Sequence, residues 1–407
     1  MKIGFYIHHT SLKAGGLFPH SIGILKLLVK LNEIEKIHLI ISSDQKKNFQ
    51  SIIDNPKVQL RLINRKNLFT NIRFAISYLL SNAIALHRNK FQKPNHLKFL
   101  STISNCFNPY KKHINSKQFD LLHVPFQYSP IYNVDVPVII TMHDIQEYHY
   151  PENFTSSQKL HRKINNIRAM YESDHIIVSY EHIKKDILKY FKVKESKVTV
   201  CLPSFAGEWF LSNKITAKSI LKEKYELNNQ FLLYPAATWK HKNHVNLVKA
   251  IAMLSEDNWD LQLICTGNKT KHYQSIKEKI DSLKIVGKVN FLGIVEEEDL
   301  IGLYKTTALV VIPTLYEAGS GPLYEAMRYS APVICSNVTS LPETMGNDNY
   351  LFNPNSVEEI TYLIKRMLTD DIFRKENLKN SKRRMEELKS MDYAKKIIDV
   401  YKKVMDA

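Results

Sequence analysis

Glu317 and Glu325 stand in the stretch "LYEAGSGPLYEAMRYS", separated by a segment that holds Gly319, Gly321 and Pro322. On one continuous helix, eight positions would bring both carboxylates to roughly one face. Proline costs about 3 kcal/mol inside a helix but is tolerated at its first position. The spacing therefore predicts a helix that starts at Pro322 and carries Glu325, with Glu317 on the loop before it. The free N–H groups of a first helical turn, with about half a positive charge from the helix dipole, suit a phosphate, and glycine lets the backbone approach it closely. A carboxylate facing that anion would be repelled, so the two glutamates are better suited to accept hydrogen bonds from hydroxyls on either side of it. Hydroxyl, phosphate, hydroxyl is the outline of a nucleotide sugar. A structural reading of this segment alone stays open, with Glu325 a favourable first-turn acid and Glu317 a loop acid.

The elements that must position these residues follow from the apolar runs. The chain opens with "KIGFYIH", a buried-strand pattern, then a Gly15–Gly16 loop and the helical pattern of "HSIGILKLLVKL". Further strands are predicted at 37–42, 119–124, 137–142 and 175–179, and the pattern restarts with strands at 231–237, 261–267, 288–293, 308–314 and 332–336. Strands alternating with helix-length segments predict α/β architecture with parallel sheets. We expect two doubly wound, Rossmann-like domains, 1–203 and 204–390, facing across a cleft, and a final amphipathic helix within 391–407 that packs back on the first domain.

Charge is distributed unevenly. Residues 1–200 hold 29 Lys and Arg against 14 Asp and Glu, a net +15, whereas residues 201–407 hold 28 against 26, a net +2. Between Asn55 and Phe119 there are 12 basic residues and no acidic one. Such a patch suits nucleic acid, an anionic membrane surface or a phosphorylated substrate, and a solvated basic face explains it equally well. The stretch "LFTNIRFAISYLLSNAIALHRNKFQKPNHLKF" reads as an apolar helix flanked by cations, either packed in the core or engaging a membrane or lipid-linked acceptor. Its apolar part is too short and too polar to span a bilayer. The first residues have too short an apolar core for a signal peptide. Cys106, Cys201, Cys265 and Cys335 lie far apart and read as buried thiols of a reducing compartment. A soluble, cytoplasmic protein is expected. His143 with His149, and His241 with His244, lack a carboxylate or cysteine to complete a metal set, so no metal or cofactor is expected.

Glutamate, seven residues and glutamate, within "VVIPTLYEAGSGPLYEAMRYSAPVICSNVTSLPE", resembles the signature of the family 4 retaining glycosyltransferases of GT-B fold. "TMHDIQEYHYPENF" resembles the His-Asp loop of bacterial mannosyltransferase-like members, and "YPAATWKHKNHVNLVKAI" resembles their phosphate-binding segment. "VNFLGIVEEEDLIGLYKTTALVVIPTLYE" and "YLFNPNSVEEI" also fit. The resemblance implies that Glu317 contacts the donor sugar near its reacting face, Glu325 holds the ribose hydroxyls, and the backbone of Gly319, Ser320, Gly321, Pro322 and Leu323 cradles the diphosphate. It implies further that Lys242, with Lys240 and Asn243 beside it, neutralises the leaving diphosphate, a role suited to a point charge on a flexible stem. His143 would touch the sugar from the first domain, Gly15 and Gly16 would let the first loop approach donor or acceptor, and the base would stack near Gly293 to Val295.

Two departures from the family pattern bear on the donor. Gly319 stands where phenylalanine is common, which reshapes the sugar pocket. Ala237 stands where many members carry arginine, which leaves Lys240 to supply a second charge or leaves that charge out. The expected activity is metal-independent, retaining transfer of a sugar from a nucleotide diphosphate, GDP-mannose favoured and a UDP-sugar possible, to a hydroxyl of a lipid-linked or growing surface glycan. No nucleic acid would take part, and the enzyme would work at the inner face of the cytoplasmic membrane. Paired glutamates also suit a glycoside hydrolase, but the anion-binding turn between them and the twin nucleotide-type domains argue against it. Two alternatives remain: a nucleic-acid or anionic-surface binding protein on a degenerate transferase fold, favoured by the basic half, and a nucleotide-sugar epimerase.

Overall fold

The structure is a computed structural model. It describes residues 1–7, 17–64, 67–91, 95–114, 117–202, 214–227 and 230–406, with side chains given outside 88–91 and 95–100. Gly15 and Gly16 lie outside the described residues. The chain divides into two compact units, one of Met1–Ser204 with Asp392–Ala407 and the other of Phe205–Met391.

The first unit is a seven-stranded sheet of β1 (Lys2–Tyr6), β2 (Lys36–Ser42), β3 (Val58–Ile63), β4 (Leu121–Val124), β5 (Val138–Met142), β6 (His175–Val178) and β7 (Val198–Val200), in the order β3-β2-β1-β4-β5-β6-β7. Every described pairing is parallel. All residues of β4, β5 and β6 are buried, as continuous apolar runs covered on both faces require. Gly4 sits in the interior strand β1 because an added Cβ would lie 2.6 Å from the Phe119 ring. The edge strands β3 and β7 escape the apolar-run pattern: β3 interleaves Gln59 and Arg61 with its aliphatic residues and is mostly half-exposed. Thr155 and Gln158 form a reciprocal capping box that starts the helix Ser156–Glu172. The last helix, Tyr393–Met405, buries Ile397, Ile398 and Tyr401 in this unit's core, and the Tyr401 hydroxyl lies 2.7 Å from His123 Nδ1.

The cation-flanked apolar stretch forms the helix Leu68–Phe91, which runs alongside the helix Asn95–Phe107. Its inward face carries small residues. Ser77 and Ser81 are buried and meet the buried Ser104 at 3.2 and 2.7 Å, while Ala85 packs with Ile164 and Ile167. Most of its large apolar side chains are exposed, but Ile84 is buried on the inward side and Phe74 packs half-buried against the core, so the core-helix reading holds for the inward face and fails for the outward one. Among the described residues no helix is long and apolar enough to cross a membrane. Cys201, Cys265 and Cys335 are buried as expected, but Cys106 is exposed because it falls on the solvent side of Asn95–Phe107.

The second unit is a six-stranded parallel sheet of β8 (Phe231–Pro235), β9 (Gln262–Thr266), β10 (Val289–Gly293), β11 (Leu309–Ile312), β12 (Val333–Ser336) and β13 (Leu351–Phe352), ordered β10-β9-β8-β11-β12-β13. The strand order reverses between β8 and β11. Loops leaving the carboxyl ends of those two neighbours therefore diverge and leave a crevice, the usual place for a ligand in an open α/β sheet.

Candidate active site

Lys242 follows β8 and Glu317 follows β11, so the reversal places them on the two loops that flank the crevice of the second unit. Lys242 ends the short 3-10 turn Lys240–Lys242. That turn is stitched to the exit of β11: the His241 carbonyl accepts from Leu315 N–H at 2.7 Å and from the Thr314 hydroxyl at 3.0 Å. The Tyr234 hydroxyl donates to the Lys242 carbonyl at 2.8 Å. With both loops so tied, Lys242 Nζ lies 2.9 and 2.6 Å from the two carboxylate oxygens of Glu317. The lysine side chain is 18% exposed and the glutamate 9%, so the pair is largely withdrawn from water. A charge-assisted bond in such surroundings is held more firmly than a surface ion pair.

Glu317 is also fixed through its backbone. Its N–H donates to Thr339 Oγ1 at 2.9 Å and its carbonyl accepts from Ser340 Oγ at 3.0 Å. Thr339 adopts φ 52° and ψ −118°, a conformation that β-branched residues rarely take and that tends to mark functional sites. Neither residue is picked out by its spacing to Glu317. Asn243 turns the chain in the left-handed region at φ 59° and spends both amide hydrogens on the carbonyls of Pro313 and Pro354, at 2.9 and 2.8 Å. It thereby holds the ends of two loops together beside Lys242. Lys240 is exposed.

The helix after the glycine turn runs Gly321–Arg328, one residue earlier than the preference of Pro322 for a first position suggests. Ser320 is the reason: it is fully buried and caps the helix, its hydroxyl accepting from Leu323 N–H at 3.4 Å, which leaves Pro322 at the second position where its missing N–H also costs nothing. Gly319 and Gly321 are not in the left-handed region. Glu325 is half-buried on this helix and accepts a hydrogen bond from the Tyr304 hydroxyl at 2.5 Å. Burial pushes the Glu325 carboxyl up to about 7, against the opposing pull of that bond. Tyr304, on the helix Glu297–Thr306, is a partner that the linear pattern does not announce.

Gly293 closes β10 with φ +75° and its carbonyl accepts from Gly267 N–H at 2.6 Å. Gly267, at φ +108°, ends the neighbouring β9 in such close contact that an added Cβ would sit 2.8 Å from Ala237 N. It lets the loop that leads to Lys242 pass over the end of β9, a requirement invisible from its position in "LICTG".

His143 belongs to the first unit, just past the carboxyl end of β5. It is buried, and its Nε2 lies 3.0 Å from the Pro125 carbonyl oxygen. Burial lowers its pKa, with the Pro125 bond and Asp144 pulling the other way. A neutral ring that donates Nε2–H to Pro125 presents Nδ1 as an acceptor. His20 packs edge-on to it, ring centroids 5.0 Å apart. The following loop is tied down by Arg162, which pairs with Asp144 and donates to Glu147 at 2.7 Å, while Asn166 donates to Glu147 at 2.5 Å. A cavity of about 590 Å³ lined by Pro137, His175, Lys197 and Lys403 lies at the amino ends of β5 and β6, the opposite ends from His143, and is separate from these residues.

Known proteins share this organisation. Residues 78–203 match the model for "Glycosyltransferase Family 4", and residues 217–385 match "Glycosyl transferases group 1". The serotype-specific mannosyltransferase WbdA of Escherichia coli is 28% identical over 253 residues, 61% of this chain and 31% of WbdA, so the chain spans about a third of that relative's length. O-antigen chain mannosyltransferase B of E. coli is 24% identical over 383 residues, 92% of each protein. Among solved structures, HepE of Anabaena in complex with UDP and glucose superposes with a TM-score of 0.65 at 14% identity, covering 100% of both chains. One family model falls in each unit, and the second spans Lys242, Glu317 and Glu325: the chain belongs to the family 4 glycosyltransferases of GT-B fold.

Proposed function

We propose that the chain is a retaining glycosyltransferase that moves a sugar from a nucleoside diphosphate to a hydroxyl of a lipid-linked or growing surface glycan at the inner face of the cytoplasmic membrane. The observation that carries this reading is the bidentate Lys242–Glu317 pair at the strand-order reversal, on the loop that leads into the helix of Glu325. The bond from the sugar's anomeric carbon to the β-phosphate oxygen breaks, and its electron pair goes to the diphosphate. Lys242 leaves Glu317 for the developing charge, and the start of the helix Gly321–Arg328 supports it through the Gly319 to Gly321 backbone. The acceptor hydroxyl attacks from the side the diphosphate leaves and gives its proton to that leaving group. Glu317, freed of its cation, accepts from a sugar hydroxyl, and Glu325 accepts from the ribose.

Charge compensation by Lys242 and the helix end makes a metal unnecessary in this reading, so transfer should persist in a chelator. The mannosyltransferase names of the relatives support GDP-mannose as donor, and Gly319, lacking the common aromatic side chain, favours a reshaped sugar pocket. The test is a thermal-shift panel of GDP-mannose, GDP, UDP-glucose and UDP followed by transfer assays. A ligand at 100 times its Kd stabilises the folded state by about 2.7 kcal/mol. Glu317→Ala and Lys242→Ala should each abolish transfer; full activity in either variant with the true donor refutes the assignment.

A further inference from the structure

The helix Leu68–Phe91 keeps an apolar stripe on the side turned away from the protein. At about 100° per residue, Ser77, Ser81, Ile84 and Ala85 fall on one side and face protein, whereas Leu68, Ile72, Ile76, Leu79 and Leu86 recur on the opposite side. Leu68, Phe69 and Leu79 are 73%, 67% and 67% exposed. Ile103 and Phe107 on the adjoining helix are exposed as well. So many large apolar side chains exposed along one side of a helix are uncommon on a surface that meets only water. Cations accompany the stripe. Arg73 lies over the Phe69 ring at 5.8 Å and donates to the Cys106 carbonyl, Lys111 and Lys112 are exposed beyond the second helix, and no Asp or Glu occurs from Asn55 to Phe119.

We infer that this helix pair is the element that docks the enzyme on an anionic lipid bilayer, with the stripe from Leu68 to Leu86 inserted among the headgroups and the surrounding lysines and arginines on lipid phosphates. The charge selects the occupant. A second copy of the chain would bring one segment without a single acid against another, and a nucleic acid would satisfy the cations but leave the aliphatic stripe in water. An anionic amphiphile satisfies both. The inference rests on the transferase reading only for which membrane is met; the docking itself needs neither donor nor acceptor.

The test is flotation of the full chain with vesicles of phosphatidylglycerol and phosphatidylethanolamine, and with phosphatidylcholine alone, at low and high salt. Wild type should float with the anionic vesicles, with affinity falling about fivefold for each cation whose lipid contact is lost, and bind phosphatidylcholine weakly. Ile72→Glu/Leu79→Glu, at two exposed positions, should keep the circular-dichroism spectrum and melting temperature and lose flotation by about a hundredfold, tenfold for each side chain kept out of the bilayer. Lys111→Glu/Lys112→Glu should selectively weaken the anionic preference. Absence of wild-type flotation, full flotation of Ile72→Glu/Leu79→Glu, or a wild-type dimer that this variant dissociates would overturn the inference. Donor thermal shifts on the same preparations separate the two proposals: flotation without protection by any nucleotide sugar sinks the transferase reading and leaves docking standing.

Discussion

Replacing Lys242 by methionine keeps the stem and removes the charge, which strands Glu317 as a carboxylate in a site where it is only 9% exposed. Removing one partner of a fully buried ion pair costs about 3–5 kcal/mol, because the remaining charge loses its compensation without regaining water. Here the lysine position is 18% exposed, so water reaches the vacated side and the expected loss falls to about 2–3 kcal/mol. For a unit of this size 1 kcal/mol moves Tm by about 2–4 °C, which predicts a drop of about 4–12 °C. Glu317→Gln strands the cation instead, which reaches solvent more easily, and should cost less. The double variant Lys242→Met/Glu317→Gln strands no charge and should melt above the Lys242→Met single variant, with a coupling of about 1.5–2.5 kcal/mol. Calorimetry on the full chain, following the transition that a nucleotide ligand shifts, measures all three. A double variant whose loss equals the sum of the two singles would show that the contact stores no energy and would refute the description of the site as a mutually neutralised pair.

Glu325 should make the second unit pH-dependent. Its folded pKa of about 7 lies above the ordinary glutamate value of 4.5, so the folded state holds the proton more tightly than the unfolded chain. Stability is then fully present below about 4.5 and falls as pH rises through 7, by at most about 3 kcal/mol. Glu325→Gln should flatten that slope, and Tyr304→Phe, which removes the bond favouring the carboxylate, should move the midpoint upward; urea titrations across this range measure both. A donor that presents hydroxyls to Glu325 should release a proton on binding near pH 7, read by calorimetry in two buffers of different ionisation enthalpy. Gly267→Ala should cost about 2–3 kcal/mol, since it combines a φ of +108° with a Cβ placed 2.8 Å from Ala237 N, and should weaken donor binding through the loop that carries Lys242; an unchanged Tm would contradict the crowding.

The alternation of apolar runs with helix-length segments was sufficient to define two parallel-sheet units, because a strand covered on both faces must be apolar at every position and announces itself locally. Its failures share a cause: β3 and β13 sit at sheet edges and β7 is only three residues long, so their burial is incomplete and their pattern weak. The glycine turn and the helix carrying Glu325 were likewise legible, since proline and glycine act through their own backbone preferences. The start of that helix shifted by one residue because a side-chain cap, Ser320, outweighed the preference of Pro322. Only the tertiary structure could decide which charges meet. Lys242 and Glu317 are 75 positions apart and become partners because strand order reverses between β8 and β11, a property of the sheet and of no local segment. The same holds for Thr339 under Glu317, Tyr304 on Glu325 and Gly267 beside Ala237. It holds also for the helix Leu68–Phe91, whose composition reads as core while its neighbours bury its serines and leave its leucines outside. Periodicity tells which side of a helix is apolar; only packing determines whether that side faces the protein.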